Sequence, residues 1–476
     1  MIFLIQINYS KDRSEAILPL GILSVGSALK RNGFEVELLN INEKEIDQTV
    51  EYISKKNPFY IGFSVMTGIQ TKHSAEMSKK LKEKGDFNIL WGGIHPSLLP
   101  EQCLDSEYID YLVVGEGEET IVEFSKAKEE KFSFDGILGL GYKMEDEVII
   151  NPKRRLIDNL DDYRLDFSLV DLNKSIFKLD KYKRVIAYKA SRGCPFNCAF
   201  CYNQEFNQNR WRAWSIETVV QDIEFLKKNY QIDAVKFYDD NFFVNKERAL
   251  EILEKINLPS HTELRIDSID DSLAKELKRL KSFDLLIGME SGSNRLLKLV
   301  NKNINVDDII KAARILSEND LRATYSTIVG LPTETKEEFN STIDLMYRTY
   351  KIHPRAGFTL GAYLPYPGSK LYQFSLKHGF NPPEKTEDWG KIDRFRDKFV
   401  SPWVDAKLVW KIREYFKFLS IDLSLINKWL EFRIKRRFFS FSIDIYLLEY
   451  FSDIAIKEKG ILGKFLRKTH NLIRKW

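Results

Sequence analysis

The chain has 476 residues, with 73 Lys and Arg against 69 Asp and Glu, a net charge of +4. Apolar residues make up 43% and charged residues 30%, which suits a core-forming globular protein and excludes a disordered one. The net charge is too small to require a polyanionic partner, and no apolar run reaches the ~18 residues that a bilayer span needs.

The opening IFLIQI (2–7) predicts a strand, and MIFLIQINYS lacks the basic segment and small-residue cleavage site of an export signal. Strand-like runs follow at 35–41, 60–65, 87–93 and 111–117, with helical patterns at 20–33, 45–56 and 70–84 between them. This alternation predicts βαβ units, a buried parallel sheet and a doubly wound, Rossmann-like domain over 1–125. Ligands of such sheets sit beyond the carboxyl ends of the strands. Residues 126–183 read as a connector with a small β element. From 184 a second alternation begins, with strands at 184–190, 234–240, 263–269, 284–290, 323–330 and 356–363 and helices that include 215–230 and 335–350. Six units predict a partial (βα)6 barrel of the TIM type over 184–385, with its chemistry at the carboxyl ends of the strands. Residues 386–476 read as a mainly helical region. Positions 401–476 carry 16 Lys and Arg against 8 Asp and Glu, and Trp403, Trp410, Trp429, Phe438, Phe439 and Trp476 add aromatic surface.

Three of the four cysteines fall within eight residues. Clustered cysteines in an intracellular chain point to a metal site and not to a disulfide. The stretch Arg192-Gly193-Cys194-Pro195-Phe196-Asn197-Cys198-Ala199-Phe200-Cys201-Tyr202 lies just past the first barrel strand. Three thiolates on one loop hold three irons of a 4Fe–4S cubane and leave the fourth iron open. Phe196 and Phe200 would exclude water from it. The alternative is structural zinc, which needs a fourth ligand, and the six histidines are all remote in sequence. Cys103 stands alone and reads as structural.

The spacing C-x3-C-x2-C after a first barrel strand resembles the radical S-adenosylmethionine (SAM) superfamily, over about 184–380. The resemblance implies that the open iron chelates the amino and carboxylate groups of SAM, and that reduction of the cluster cleaves SAM to a 5′-deoxyadenosyl radical. It implies SAM contacts from Phe200 and Tyr202, from Tyr238, Asp239 and Asp240 beside the amino group, from Glu290 and Ser291 near ribose and carboxylate, and from Gly330 near the adenine. The residue types suit these roles. Glu290 accepts hydrogen bonds from sugar hydroxyls, Arg265 pairs with a carboxylate through two N–H groups, and Gly330 lets backbone come close.

Residues 1–125 resemble the cobalamin-binding domain that precedes the barrel in one class of this superfamily, the group of carbon methylases and Mg-protoporphyrin ester cyclases. The matching pieces are Leu20 and Gly21 opening the first helix, Ser64, Val65 and Thr67 after the third strand, Gly92 and Gly93 after the fourth, and Glu116, Gly117 and Glu118 after the fifth. The Asp-x-His-x-x-Gly signature of an axial histidine is absent, so cobalamin is expected without a histidine below it, and His95 reads as a loop hydrogen-bonding residue. A domain that only packs on the barrel is the alternative.

The resemblance implies that SAM methylates reduced cobalamin, that the adenosyl radical takes a substrate hydrogen, and that the substrate radical takes the methyl group. The expected activity is methylation of an unactivated carbon in a small-molecule or lipid-like substrate, in the cytoplasm, with an external electron donor such as flavodoxin or ferredoxin. A radical SAM cyclase or rearrangement enzyme is the alternative. A metal-stabilised nucleic-acid-binding protein belongs to a third class, and no nucleic acid is expected because the aromatics form no RNA-binding motif. The basic tail has three readings: a helical cap that closes the barrel, an anionic-substrate site, or peripheral membrane contact. In the last, Trp429, Phe432 and Ile434 would be buried in lipid and Arg433, Lys435, Arg436 and Arg437 would point outward.

Overall fold

The computed structural model describes residues 1–8, 17–145, 147–392, 401–419, 424–439 and 444–447. Strand β1 (Ile2–Asn8) is apolar on both sides, and its alternation feeds two cores: Phe3, Ile5 and Ile7 enter one, Ile2 and Leu4 the other. A strand buried on both faces belongs in the middle of a parallel sheet. With β2 (Val36–Asn42), β3 (Tyr60–Ser64), β4 (Ile89–Gly92) and β5 (Tyr111–Val113) it forms the order β2-β1-β3-β4-β5, all parallel. Helices Leu20–Arg31 and Glu118–Glu130 cover one face, and Ile46–Ser54 and Ile69–Lys84 the other, so the sheet is doubly wound. The strand order reverses between β1 and β3, where such sheets place their ligands.

Part of the connector extends this sheet. Strand β6 (Leu140–Met144) adds antiparallel to β5, and β7 (Glu147–Ile150) adds antiparallel to β6. Strand β8 (Ile176–Leu179) instead joins the second sheet, antiparallel to β9 (Tyr182–Tyr188). A two-residue pair, β10 (Ser191–Arg192) with β11 (Arg212–Ala213), brackets the cysteine loop. Then come β12 (Ala234–Phe237), β13 (Ser260–Arg265), β14 (Ser282–Glu290), β15 (Ala323–Val329) and β16 (Ala356–Ala362). The order β16-β15-β14-β13-β12-β9 is parallel throughout, a six-stranded open half-barrel. Its outer face is apolar: Leu285, Ile287 and Met289 of β14 enter the main core, which alternates them with Asp284, Gly288 and Glu290 on the inner face. The helices between strands start at side-chain caps, among them Ser215, Asn245, Asp270, Asn305 and Thr335. Leu18 and Leu23 of the first domain enter the barrel's core, so the two sheets share apolar packing.

Beyond the barrel the chain turns back onto the first domain. Trp389 Nε1 donates to Gln102 Oε1 at 2.7 Å, Gln102 Nε2 to the Pro383 carbonyl at 2.8 Å, and Glu387 meets Lys79 at 2.8 Å and Tyr108 at 2.9 Å. We call residues 383–392 the strap. The tail helix Ala406–Leu419 buries Val409, Ile412, Phe416 and Leu419 in the barrel's core, with Phe416 5.3 Å from Phe358 of β16. It therefore lies against the helix-bearing side of the last strand and does not close the barrel mouth as a cap would.

The amphipathic reading of 429–439 needs correction. Trp429 and Phe432 are exposed, but Ile434 is buried with the barrel core. Arg433 is buried, with Nη1 on Asp444 at 2.6 Å and its guanidinium 4.8 Å from the Phe438 ring, and Arg437 is tied to Asp344 and to the Asn340 carbonyl. Lys435 and Arg436 remain exposed. Trp476 lies outside the described residues. Among those residues, no helix is long and apolar enough to cross a membrane.

Candidate active site

The cysteine loop sits at the carboxyl end of β9, and every turn of it is fixed. Gly193 has φ +81°, and a Cβ there would overlap the carbonyl of Arg210. Its N–H donates to Asp240 Oδ2 at 3.0 Å. Asn203 Nδ2 donates to the Cys194 carbonyl at 2.9 Å, and Gln204 Nε2 to the Cys198 carbonyl at 2.7 Å. Ala199 donates to the Val300 carbonyl at 2.8 Å and accepts from Leu371 N–H at 2.7 Å. Burial pushes the Cys194 thiol above its ordinary value and that of Cys201 up to about 12. Among the described residues no three Cys, His, Asp or Glu converge to hold a single ion. Thiolates on a cubane each bind a different iron, so three cysteines on one loop serve three irons. The donor set fits a cluster.

The strand ends around the loop are brought together, with several of the expected ligand groups already engaged by protein. Asp239 accepts from Ser191 Oγ and from Ala190 N–H at 3.1 Å, and burial raises its carboxyl to about 6. It anchors the start of the loop. Asp240 accepts from Gly193, from Lys189 Nζ at 3.2 Å and from Tyr202 Oη at 3.4 Å. Tyr238 lies under Lys236, 4.5 Å from ring centroid to Nζ. Phe200 packs beside Leu296, Leu331 and Leu371.

Arg265 departs from the expected fork on a ligand carboxylate. Its Nε and Nη2 already grip Asp267 at 3.0 and 2.8 Å, Nη2 also reaches the Lys302 carbonyl at 2.6 Å, and its plane lies 3.9 Å from the Phe196 ring. Nη1 points at Cys198 Sγ, 3.6 Å away. Glu290 adopts φ +59° and pairs through Oε1 with buried Lys302 at 2.6 Å, leaving Oε2 for a ligand. Ser291 is fully buried, and its Oγ accepts from Ser293 N–H at 3.2 Å, which makes it a turn-former. The space a Cβ on Gly330 would need is filled by Val404, so the close approach that this glycine permits is to the tail.

In the first domain, the ends of β3, β4 and β5 lie on the β3 side of the crevice expected at the switch point between β1 and β3. A Cβ on Gly21 would lie 3.1 Å from Ser64 Oγ, and one on Gly93 (φ +98°) 2.9 Å from the Val65 carbonyl. These glycines bring the first helix and the loop after β4 tightly against Ser64 and Val65. Gly92 faces Val113, and Gly117 faces Val25. Leu20 packs against the barrel core. Thr67 Oγ1 lies 3.1 Å from His95 Nδ1. His95 is wholly buried, its ring is 5.8 Å from Trp389, and burial lowers its pKa to about 3, so it is neutral. It is a hydrogen-bonding residue, as expected, but one that sits in the short helix Ile94–Leu98 and not in a loop. The carboxylates of Glu116 and Glu118 are occupied by Arg192 and Arg212, so these side chains serve the domain junction.

Residues 188–346 match the Radical SAM superfamily and residues 14–125 the B12 binding domain. An uncharacterized methyltransferase of Pyrococcus horikoshii is 30% identical over 372 residues, covering 75% of this chain and 78% of that one. The chain belongs to the cobalamin-binding radical SAM enzymes. The anaerobic magnesium-protoporphyrin IX monomethyl ester cyclase of Synechocystis is 28% identical over 348 residues, covering 69% of this chain and 68% of that one. The radical SAM methyltransferase TsrM of Kitasatospora setae, solved with cobalamin and a [4Fe-4S] cluster, superposes with a TM-score of 0.64 at 19% identity, covering 77% of each chain. The cofactors of a radical SAM enzyme with this domain are a 4Fe–4S cluster, SAM and cobalamin.

Two residues of the radical SAM barrel escape sequence reasoning. Lys302 neutralises Glu290 from beyond the next helix, and no local motif marks it. Glu263 lies on the inner face of β13, and burial raises its carboxyl to about 7, against the pull of Lys236. Alternation with Arg265 two positions on was the available signal.

Proposed function

We propose that this enzyme methylates an unactivated carbon of a small-molecule substrate held in the half-barrel. The observation that supports this most is the junction itself: the cysteine loop of the barrel and the crevice loop of the B12 binding domain meet through Arg192, Glu116 and Glu118. When bound, the cluster, SAM and cobalamin supply reductive cleavage of SAM and a methyl group for transfer to a carbon radical.

The chain's own residues do the positioning. Cys194, Cys198 and Cys201 would hold the cluster. Asp240 and Tyr202 would receive an ammonium group of SAM, and Glu290 Oε2 would accept from a sugar hydroxyl. Ser64 to Thr67, Gly92 and Gly93, and the backbone of Gly115 to Glu118 would hold cobalamin. Residues 1–125 serve as the cobalamin domain, 184–385 as the radical barrel and 386–476 as the tail, with 126–183 between them. The inner face mixes Lys236 and Glu263 with small residues such as Gly357 and Gly361, which favours a substrate with polar groups. An oxygen-sensitive cluster fits a reducing cytoplasm and an external one-electron donor of the flavodoxin or ferredoxin kind. The exposed Trp429 and Phe432, stacked at 5.7 Å, support peripheral contact of the tail with a membrane.

The decisive experiment is anaerobic. The protein is reconstituted with iron, sulfide and cobalamin, desalted, and given SAM and reductant. The expected result is a retained corrin band and 5′-deoxyadenosine, the latter abolished in Cys198→Ala. 5′-Deoxyadenosine without retained corrin would favour a cyclase or rearrangement reading, which similarity to the ester cyclase supports. Product mass then separates the two, since methylation adds one CH2.

A further inference from the structure

Arg192 immediately precedes the cluster loop, yet its side chain points into the other domain. Nη1 donates to Glu116 Oε1 at 2.8 Å, and Nη2 donates to Glu118 Oε1 at 2.6 Å and to Ser24 Oγ at 3.0 Å. The guanidinium lies 5.2 Å from the Trp214 ring. Glu116 is held from its other side by Arg212 Nη1 at 2.6 Å and by the Ile157 N–H at 2.8 Å. Arg212 continues to Asn207 Oδ1 at 3.1 Å, and Asn207 Nδ2 donates to Asn203 Oδ1 at 2.6 Å. Asn203 in turn holds the Cys194 carbonyl. Two routes thus run from the β5 loop of the first domain to the same cysteine, one through the main chain of Arg192 and Gly193 and one through hydrogen bonds.

Burying two cations and two carboxylates costs desolvation that their attraction only roughly offsets. A greasy junction of equal volume would hold the domains together as well. The ionic one differs in fixing register: a planar fork that serves two carboxylates and a hydroxyl accepts one geometry.

We propose that Arg192 is a positioning residue that sets the cysteine loop in register with the cobalamin crevice, so that occupancy of the crevice tightens the loop. The proposal rests on the cobalamin reading. Lysine, a point charge, keeps the ion pairing but loses the fork, which makes Arg192→Lys the discriminating variant. Ser24→Ala removes the hydroxyl that Arg192 Nη2 and Glu118 share, and is the second variant should the first unfold.

The test is hydrogen–deuterium exchange on the full-length, cluster-loaded protein under anaerobic conditions, with and without hydroxocobalamin. In the wild type, cobalamin should slow exchange both in the first-domain segments 64–70 and 92–97 and in the loop 193–203. In Arg192→Lys or Ser24→Ala, first-domain protection should persist while the protection gained by the loop is more than halved. Loop protection that is unchanged in both variants, or absent in a wild type whose first domain is protected, would overturn the proposal. If the wild-type first domain itself gains no protection, the cobalamin reading fails and the proposal falls with it.

Discussion

Single residues divide into those whose chemistry is local and those whose meaning depends on a distant partner. The cysteines belong to the first kind, since their spacing alone defines one loop and one ligand set. Arg192, Lys302 and Glu263 belong to the second. Arg192 meets Glu116 across 76 positions, and nothing in the sequence near either residue announces the other. Arg265 was legible as a polar residue at a strand end, but Asp267, two positions on, takes its fork. Glu263 carries a pH consequence. Its carboxyl is raised to about 7 from an ordinary 4.5, so between those values the folded protein binds the extra proton. Stability therefore falls as pH rises through that window. Glu263→Gln removes this dependence. Denaturant unfolding should find the variant equal to the wild type near pH 4.5 and more stable by about 1–3 kcal/mol at pH 8, at ~1.4 kcal/mol per pKa unit. A gap that is constant with pH would show that burial does not hold the proton.

Among the elements, the strands were the most legible, because buried parallel strands are nearly continuous apolar runs. All eleven expected strands are present, most with ends moved by a few residues. Short helices such as Asn294–Leu299 were not anticipated, since under two turns carry too little periodicity to read. The connector was seen as one small β element, whereas its strands serve two different sheets, a pairing decided by partners far away in the chain. The loop at Gly193 depends on one backbone angle. Gly193→Ala must bear φ +81°, at about 1–2 kcal/mol, and must also push away the Arg210 carbonyl. Iron bound per chain after reconstitution should fall to well under half that of the wild type, while far-ultraviolet circular dichroism stays unchanged. Full loading would mean that the loop refolds around the added methyl.

At the scale of the whole molecule, two polar ties, the Arg192 junction and the strap, add to the apolar packing of Leu18 and Leu23 in holding the domains. The strap was not legible, because residues 383–392 show neither strong periodicity nor a motif, and their partners, Gln102 and Lys79, lie some 280 to 310 positions back. Trp389 is its anchor, buried at 1% exposure. Trp389→Ala should cost about 3–5 kcal/mol, with limited proteolysis cutting near 383–392 well before the wild type is cut there. Resistance equal to the wild type would show that the polar contacts suffice alone.

The strap also orders events during synthesis. Domains complete themselves from the amino end as the chain leaves the ribosome. The five parallel strands of the first sheet and their helices are all made by residue 130. Trp389, which covers the surface beside His95, and Glu387, which Lys79 and Tyr108 await, are supplied only after the whole half-barrel has been translated. A nascent chain halted anywhere between those points carries a first domain with its flank still bare, so the last ties between the two halves are made in one late step.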